Sequence, residues 1–554
     1  MSCSFLFSIL LMLESVTPWK LVSPDSTEGG LFGSSVAIYS NTLVVGSMGD
    51  DNANKRHSGS AYIYSRKRST DPWVLTQKLY PYRAQSYDQF GCSVLKSDEF
   101  IFVGSLNGKV MNVNTGKVNI WTKDLTVPNR KLWSHQSELT SPDLQSYDEF
   151  GKELSYAEHV IAVSATGDDS KGRDSGAVYI YRFDGAWSQQ SKIVADDGRS
   201  EQSFGSSLSL SVSLSVPLSL LVGSSQGISR AQNSSATAGH SEDAPTVYYY
   251  EGGGGAWSLQ ATLSPPGIGG RDQFGWSVSL QGDVAVVGAR YSDGEAGSAH
   301  VFTRLGGGGR GGTWSYAVKL SPSDSARSRF FGDSLQLQGG VLLVGAYGWT
   351  DKVRRGGAYI FVRDVGTGRQ AARWSQQAQL LPTDTWPKSY YGRSLALSED
   401  GESLAVGAPG AAEYAVEVGA VCTYRFIDGQ VVKDPHGEGE GGGATISAEG
   451  SDALDTYVAV AVVMAICVML LAYCMCCASS SGRRLSPESG SFSCLTDDST
   501  SSLQHKRIAG VRGEYELASF GINEANDSEG RVDDDKAAGK SSNIESVSVD
   551  DFAD

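Results

Sequence analysis

Short apolar runs bounded by glycine and polar residues recur along the chain between residues 16 and 431. The stretch Trp257–Arg304 shows their order. A tryptophan opens WSLQATL, Phe274-Gly275 opens FGWSVSL, the run VAVVGA contains Val287-Gly288-Ala289, and Gly297-Ser298-Ala299 leads into His300-Val301-Phe302. Alternation of apolar and polar positions with a period of two predicts β-strands. The glycines between the runs predict tight turns, and the unit as a whole predicts an all-β fold.

The same landmarks occur seven times. Aromatic-glycine pairs stand at Phe32-Gly33, Phe90-Gly91, Phe150-Gly151, Phe204-Gly205, Phe274-Gly275, Phe331-Gly332 and Tyr391-Gly392, spaced by 58, 60, 54, 70, 57 and 60 residues. A second apolar strand follows each pair and usually ends in glycine; the third copy, Val163-Ser164-Ala165, lacks it. A third strand comes after a variable loop. A fourth begins at Trp73, Trp133, Trp187, Trp257, Trp314 and Trp374, each 17 residues before the next aromatic-glycine pair.

Four short strands in each of seven units predict a seven-bladed β-propeller, with repeats starting near 32, 90, 150, 204, 274, 331 and 391. The seventh unit has no tryptophan strand after it, and Trp19-Lys20-Leu21 has no unit before it. Strand 19–23 is therefore expected to complete the last blade, closing the ring and covering its edges. The aromatics are expected to fill the layer between blades. The glycine after each aromatic is expected to permit close backbone approach, and the glycine ending the second strand to adopt a turn with positive φ.

Composition narrows the functional classes. A net charge of −16 argues against nucleic-acid binding. Of eight cysteines, Cys92 and Cys422 alone fall within the repeats, and neither they nor the scattered histidines have disulfide-framework or zinc spacing. No nucleophile elbow, HExxH or phosphate-loop motif occurs, so no catalytic residue is expected.

The flanks differ from the repeats. Residues 1–15, beginning MSCSFLFSILLML, have signal-peptide length and apolarity. Residues 432–456 form a Gly/Glu-rich stalk by composition. Residues 457–477, YVAVAVVMAICVMLLAYCMCC, carry no charge and are long enough to span a bilayer. Asp452 and Asp455 precede that segment and Arg483-Arg484 follow it, predicting a type I plasma-membrane protein with its N-terminus outside. Residues 478–554, rich in Ser, Asp and Glu, read as a disordered acidic cytosolic tail. Asn233-Ser234-Ser235 is a candidate glycosylation site.

The motifs FGWSV, VAVVGA and GSAHVF resemble the FG-GAP repeat, which builds the propeller of integrin α chains. The resemblance covers roughly residues 16–431, and propeller, single membrane helix and short tail match the integrin α layout in outline. It implies an adhesion or receptor protein whose loops between strands two and three, and four and one, bind an extracellular protein or matrix ligand. Tyr87, Tyr147, Arg271, Arg329 and Tyr390 would stand on that face. A membrane-tethered lectin is the alternative, and a hydrolase with its site in the central channel a third reading.

The turns between strands one and two, such as Gln281-Gly282-Asp283, are too short for integrin-type Ca²⁺ loops. No cofactor is expected. The remaining metal candidates are weak ones: Asp50 and Asp51, and Asp168, Asp169 and Asp174, where solvated turn residues are the favoured reading. Integrin-type leg domains and a GFFKR-like sequence are missing, which argues against pairing with an integrin β chain. Asp88, Asp148 and Asp272, each two residues before an aromatic-glycine pair, predict a repeated turn hydrogen bond.

Overall fold

Strands Phe274–Gln281, Val284–Ala289, Ser298–Leu305 and Thr313–Leu320 join in that order as one antiparallel sheet. The computed structural model describes residues 18–432 except 26, 53–54, 112, 124–131, 213–217, 226–245, 254, 306–311, 325–327, 350–355, 365–372, 383–388 and 414–415. The expected leader 1–15, the stalk beyond residue 432, the apolar segment 457–477, the acidic tail and Asn233 all lie outside the described residues. Among the described residues, no helix is long and apolar enough to cross a membrane.

That sheet is blade 5 of seven. Blade 1 begins with Phe32–Tyr39, blade 2 with Phe90–Lys96, blade 3 with Phe150–Ala157, blade 4 with Phe204–Ser211, blade 6 with Leu335–Gln338 and blade 7 with Ser394–Leu397. First strands of successive blades touch all the way round, blade 7 meeting blade 1, so they line the axis and the tryptophan strands form the rim. Second and third strands lie between neighbouring blades. Val284–Ala289 is buried throughout, whereas rim strands such as Trp133–Leu139 alternate.

The core sits in the layers between blades. Val44, Ala61, Ile63 and Leu79 of blade 1 pack with Phe90, Ile101, Val103 and Trp121 of blade 2. Phe90 is fully buried and meets Trp121 edge to face at 5.4 Å. Burying each such aromatic stabilises the ring by roughly 3 kcal/mol.

The N-terminal strand closes the ring. Trp19–Leu21 pairs antiparallel with the third strand of blade 7, Trp19 opposite Thr423 and Leu21 opposite Val421. Arg66 of blade 1 stacks over Trp73 and donates to the Ser403 hydroxyl of blade 7. The sequence pattern did not announce a further strand, Gln430–Val432, which takes the rest of the same outer edge by pairing with Arg425–Ile427.

The glycine ending the second strand has a different role from the one its position suggests. Gly46, Gly104, Gly223, Gly288, Gly345 and Gly407 are not in the left-handed region. A Cβ there would collide with the carbonyl of the next blade's aromatic-glycine pair and with the serine hydroxyl that donates to it. Those serine bonds run from Ser35 to Gly91 at 2.8 Å, from Ser277 to Gly332 at 2.7 Å and from Ser394 to Gly33 at 2.7 Å. Positive φ falls instead on the glycine before the third strand, such as Gly59 at 79° or Gly297 at 81°. Blade 3 departs at both positions together. Ser164 replaces the glycine, Glu153 replaces the serine, and the Ser164 hydroxyl accepts from the Glu153 amide at 2.9 Å.

Candidate functional site: the loop face

The loops between strands two and three of one blade meet the loops leading from its fourth strand into the next. The Tyr87 amide donates to the Arg56 carbonyl at 2.8 Å, and the Tyr147 amide to the Asn114 carbonyl at 2.7 Å. Within each leading loop a carboxylate makes the turn. Asp88, Asp148 and Asp272 each accept from the amide three residues back, Gln85, Gln145 and Gly269, at 2.7 Å. Gln202 does the same for Arg199 at 3.0 Å. Each bond reaches back three residues and closes the turn, as the acidic residue of a capping box does. Burial pushes the Asp148 carboxyl up to about 6.

That turn presents tyrosines in two successive blades. Tyr87 and Tyr147 sit three residues before their aromatic-glycine pairs, with φ of 68° and 72°. Bulky side chains adopt this conformation at a cost of the order of 1–3 kcal/mol. Their rings bury little in return, being 52% and 68% exposed. The loop that carries Tyr87 also carries exposed Tyr80 and Tyr82, and the hairpin that meets Tyr147 carries exposed Met111 and Val113; sequence reasoning singled out none of the four. Tyr82 stacks on His135 at 4.8 Å, and His57 lies 5.7 Å from Tyr87.

On the side of blades 5–7 the expected ligand-face residues are engaged with their neighbours. Arg329 pairs with Glu295 at 3.1 Å, and half-buried Tyr390 lies 6.0 Å from buried Tyr347, which stacks on Phe330. Arg271 is exposed on the short turn Gly270–Asp272. The structure therefore divides the five residues between two sectors. Near the axis, Asp333 joins Arg290 at 3.2 Å and Arg393 at 2.9 Å, with Arg290 lying over the Trp276 ring at 3.3 Å.

The acidic loops are partnered by lysine. Asp50 accepts from Ser60 at 2.7 Å and Tyr62 at 2.9 Å and pairs with Lys78 at 2.8 Å. Lys78 also bridges to Asp25. Blade 3 repeats the arrangement: Asp168 takes Tyr179 at 3.1 Å and Lys192 at 2.7 Å, and Lys192 reaches Asp143. Burial opposes ionisation of Asp168 most strongly, but the hydrogen bonds from Lys192 and Ser170 and the Lys192 charge together outweigh it and hold the carboxyl below its ordinary value. Asp51, Asp169 and Asp174 serve their own loops: Asp51 accepts from the His57 amide, Asp169 from the Asp174 amide, and Asp174 pairs with Arg173. Among the described residues no group of three or more His, Cys, Asp or Glu could hold a metal ion.

Blade 5 carries His300 where blades 1, 3, 4 and 6 carry Tyr62, Tyr179, Tyr248 and Tyr359. Its Nε2 meets the Ser298 hydroxyl at 2.9 Å, and its Nδ1 is buried without a partner. Burial, reinforced by Lys319 and opposed by Asp293, pushes the imidazole down to about 4. The unfolded chain would then bind a proton between about pH 6.5 and 4 that the folded chain refuses. Stability from this group is complete above pH 6.5 and falls as pH drops toward 4, by on the order of 3 kcal/mol. His300→Tyr is expected to flatten that part of the stability–pH profile, measured by denaturant unfolding at pH 4.5 and 7. An unchanged profile would show that His300 does not control it.

A family model described as FG-GAP repeat matches residues 19–64, 133–181, 187–235, 257–302, 314–361 and 374–424, just over half of the chain. The unit between the first two matches, residues 73–121, folds as a tryptophan strand and three strands of blade 2 but lies outside the matched stretches. No curated protein matches the chain.

Proposed function

Because the chain belongs to the FG-GAP repeat family, we infer that it is a surface protein whose propeller binds an extracellular protein or matrix ligand. The observation that carries this reading is the loop face. The loops there hold exposed tyrosines in a conformation that costs free energy and buries little of the side chains in return. The apolar segment 457–477, with acidic residues before it and Arg483-Arg484 after it, supports a single-pass anchor with the propeller outside the cell. The resemblance to integrin α propellers supports adhesion or reception as the role, by analogy of fold and layout. The protein acts by binding rather than by catalysis.

The full-length chain carrying one tag before Trp19 and another after Asp554 tests this. On intact cells the first tag should be reached by antibody and the second only after permeabilisation. Cells displaying the chain should adhere to purified matrix components. Adhesion should fall when Tyr87, Tyr147, Arg271, Arg329 and Tyr390 are replaced by alanine together. An inaccessible N-terminal tag, or adhesion indifferent to the five substitutions, would overturn the reading.

A further inference from the structure

The loop face carries cations of two kinds. Among the described residues, Arg290 and Arg393 are neutralised by Asp333, Arg329 by Glu295 and Lys319 by Asp293 around blades 5–7, and Lys78 by Asp50, Lys117 by Glu138 and Lys192 by Asp168 around blades 1–3. No ion pair joins Lys55, Arg56, Arg83 or Lys109, or Arg271 ahead of blade 5, to a carboxylate among those residues, and the first four gather on blades 1 and 2.

These cations stand among the exposed tyrosines. Arg83 lies 5.3 Å from the Tyr82 ring, and the Arg56 carbonyl holds the Tyr87 amide. Lys109 begins the short hairpin Lys109–Val110 and Val113–Asn114, whose far end holds the Tyr147 amide. The loops that hold these residues meet pairwise, from the second-to-third-strand loop of blade 1, across blade 2, to the loop that enters blade 3, and their described residues make up a ridge. Its centre is the repeat that the family model does not match, residues 73–121. Tyr80, Tyr82, Arg83, Tyr87, Lys109 and Met111 all belong to that unit.

Resting on the extracellular binding role inferred above, we propose that this ridge is a site for an acidic polysaccharide, a sugar polymer bearing carboxylate or sulfate groups. Flat, rigid tyrosine rings supply faces on which the C–H side of a sugar ring stacks, at low entropic cost. The interspersed cations meet the acidic substituents, and a repeating polymer engages several of these points at once. An acidic peptide suits the ridge less well. An extended peptide gains affinity by adding to unpaired backbone. Here the loop amides are already spent: Tyr87 on Arg56, Gln89 on His57, Asn107 on Asp88 and Tyr147 on Asn114.

The test is binding of the full-length chain to heparin, polygalacturonate, dextran and poly-L-glutamate, at low and high salt. Heparin, polygalacturonate or both should bind, dextran should not, and binding should fade as salt is raised toward 1 M. Binding to heparin alone identifies the sulfate as the recognised group, and binding to polygalacturonate alone the carboxylate. Arg83→Gln with Lys109→Gln, and separately Tyr87→Ala with Tyr147→Ala, should each weaken binding about tenfold. All four positions carry exposed or half-exposed side chains, so the melting temperature should hold and confirm folding. Arg271→Gln with Arg329→Gln should leave polysaccharide binding intact. Three results would overturn the proposal: binding to neither acidic polysaccharide, binding indifferent to the ridge variants, or poly-L-glutamate binding as tightly as either. Cells that still adhere to matrix proteins while the polysaccharides fail would sink this proposal and leave the adhesion role standing. An N-terminal tag that is not displayed outside the cell would do the reverse.

Discussion

Gly288→Ala is expected to destabilise the propeller by about 3 kcal/mol or more, which is large for one methyl group. The added Cβ would press on the backbone carbonyl of Gly332 in blade 6 and on the Ser277 hydroxyl that donates to it. The serine can rotate; the carbonyl lies just ahead of blade 6's first strand, in backbone bonded to Gly345, and cannot move without its blade. Adding Ser277→Ala should therefore recover only part of the loss. Blade 3 supplies the natural contrast, since Ser164 already occupies the corresponding position and Glu153 has replaced the serine. Ser164→Gly should cost no more than about 1 kcal/mol. Urea unfolding of the three variants decides the matter, and a Gly288→Ala midpoint equal to the parent's would show that blade 6 retreats freely.

Asp333→Ala is expected to cost about 3–5 kcal/mol, by leaving two arginines without their shared counter-ion. Arg290 has little access to water, its side chain being 5% exposed, and it is held against Trp276. Arg393 is more open and loses less. The carboxylate ties blades 5, 6 and 7 together near the axis, so the loss should appear as a lower unfolding midpoint with unchanged strand content at low temperature. Pairing Asp333→Leu with Arg290→Met, which removes the charge along with its partner, should recover most of the stability. Should that double variant be no better than Asp333→Ala alone, the cost would have to lie in lost packing rather than a stranded charge.

The ring was legible in the sequence because closure demands the same residues at every step. An aromatic and a glycine recur wherever a first strand begins, and a tryptophan recurs 17 residues earlier. The glycine of the second strand was visible for the same reason, but its cause was not. Whether it serves a left-handed turn or a close approach depends on the next blade's backbone, about 45 residues on in the case of Gly288 and Gly332. The Asp333 cluster was hidden because its members hold non-equivalent positions in three blades. The Asp-Tyr-Lys pairing was within reach, since Lys78 and Lys192 both lie five residues after their tryptophans. At the loop face, Tyr87 and Tyr147 came into view through the resemblance, and the structure leaves both exposed. Tyr80, Tyr82 and Met111 lie in loops with no period, and only the fold reveals that their loops meet at that face.

Closure by the N-terminal strand also sets the timing of assembly on the ribosome. Trp19 is made early, yet its partner Thr423 lies 404 residues later. Until about three quarters of these residues are made, Trp19–Leu21 therefore has no place to dock. The ring is completed only once the third strand of blade 7 has emerged, when an early segment that has waited throughout is at last taken up. Premature release before residue 423 leaves an open arc with a bare edge at each end, the form of this protein most exposed to pairing with another chain.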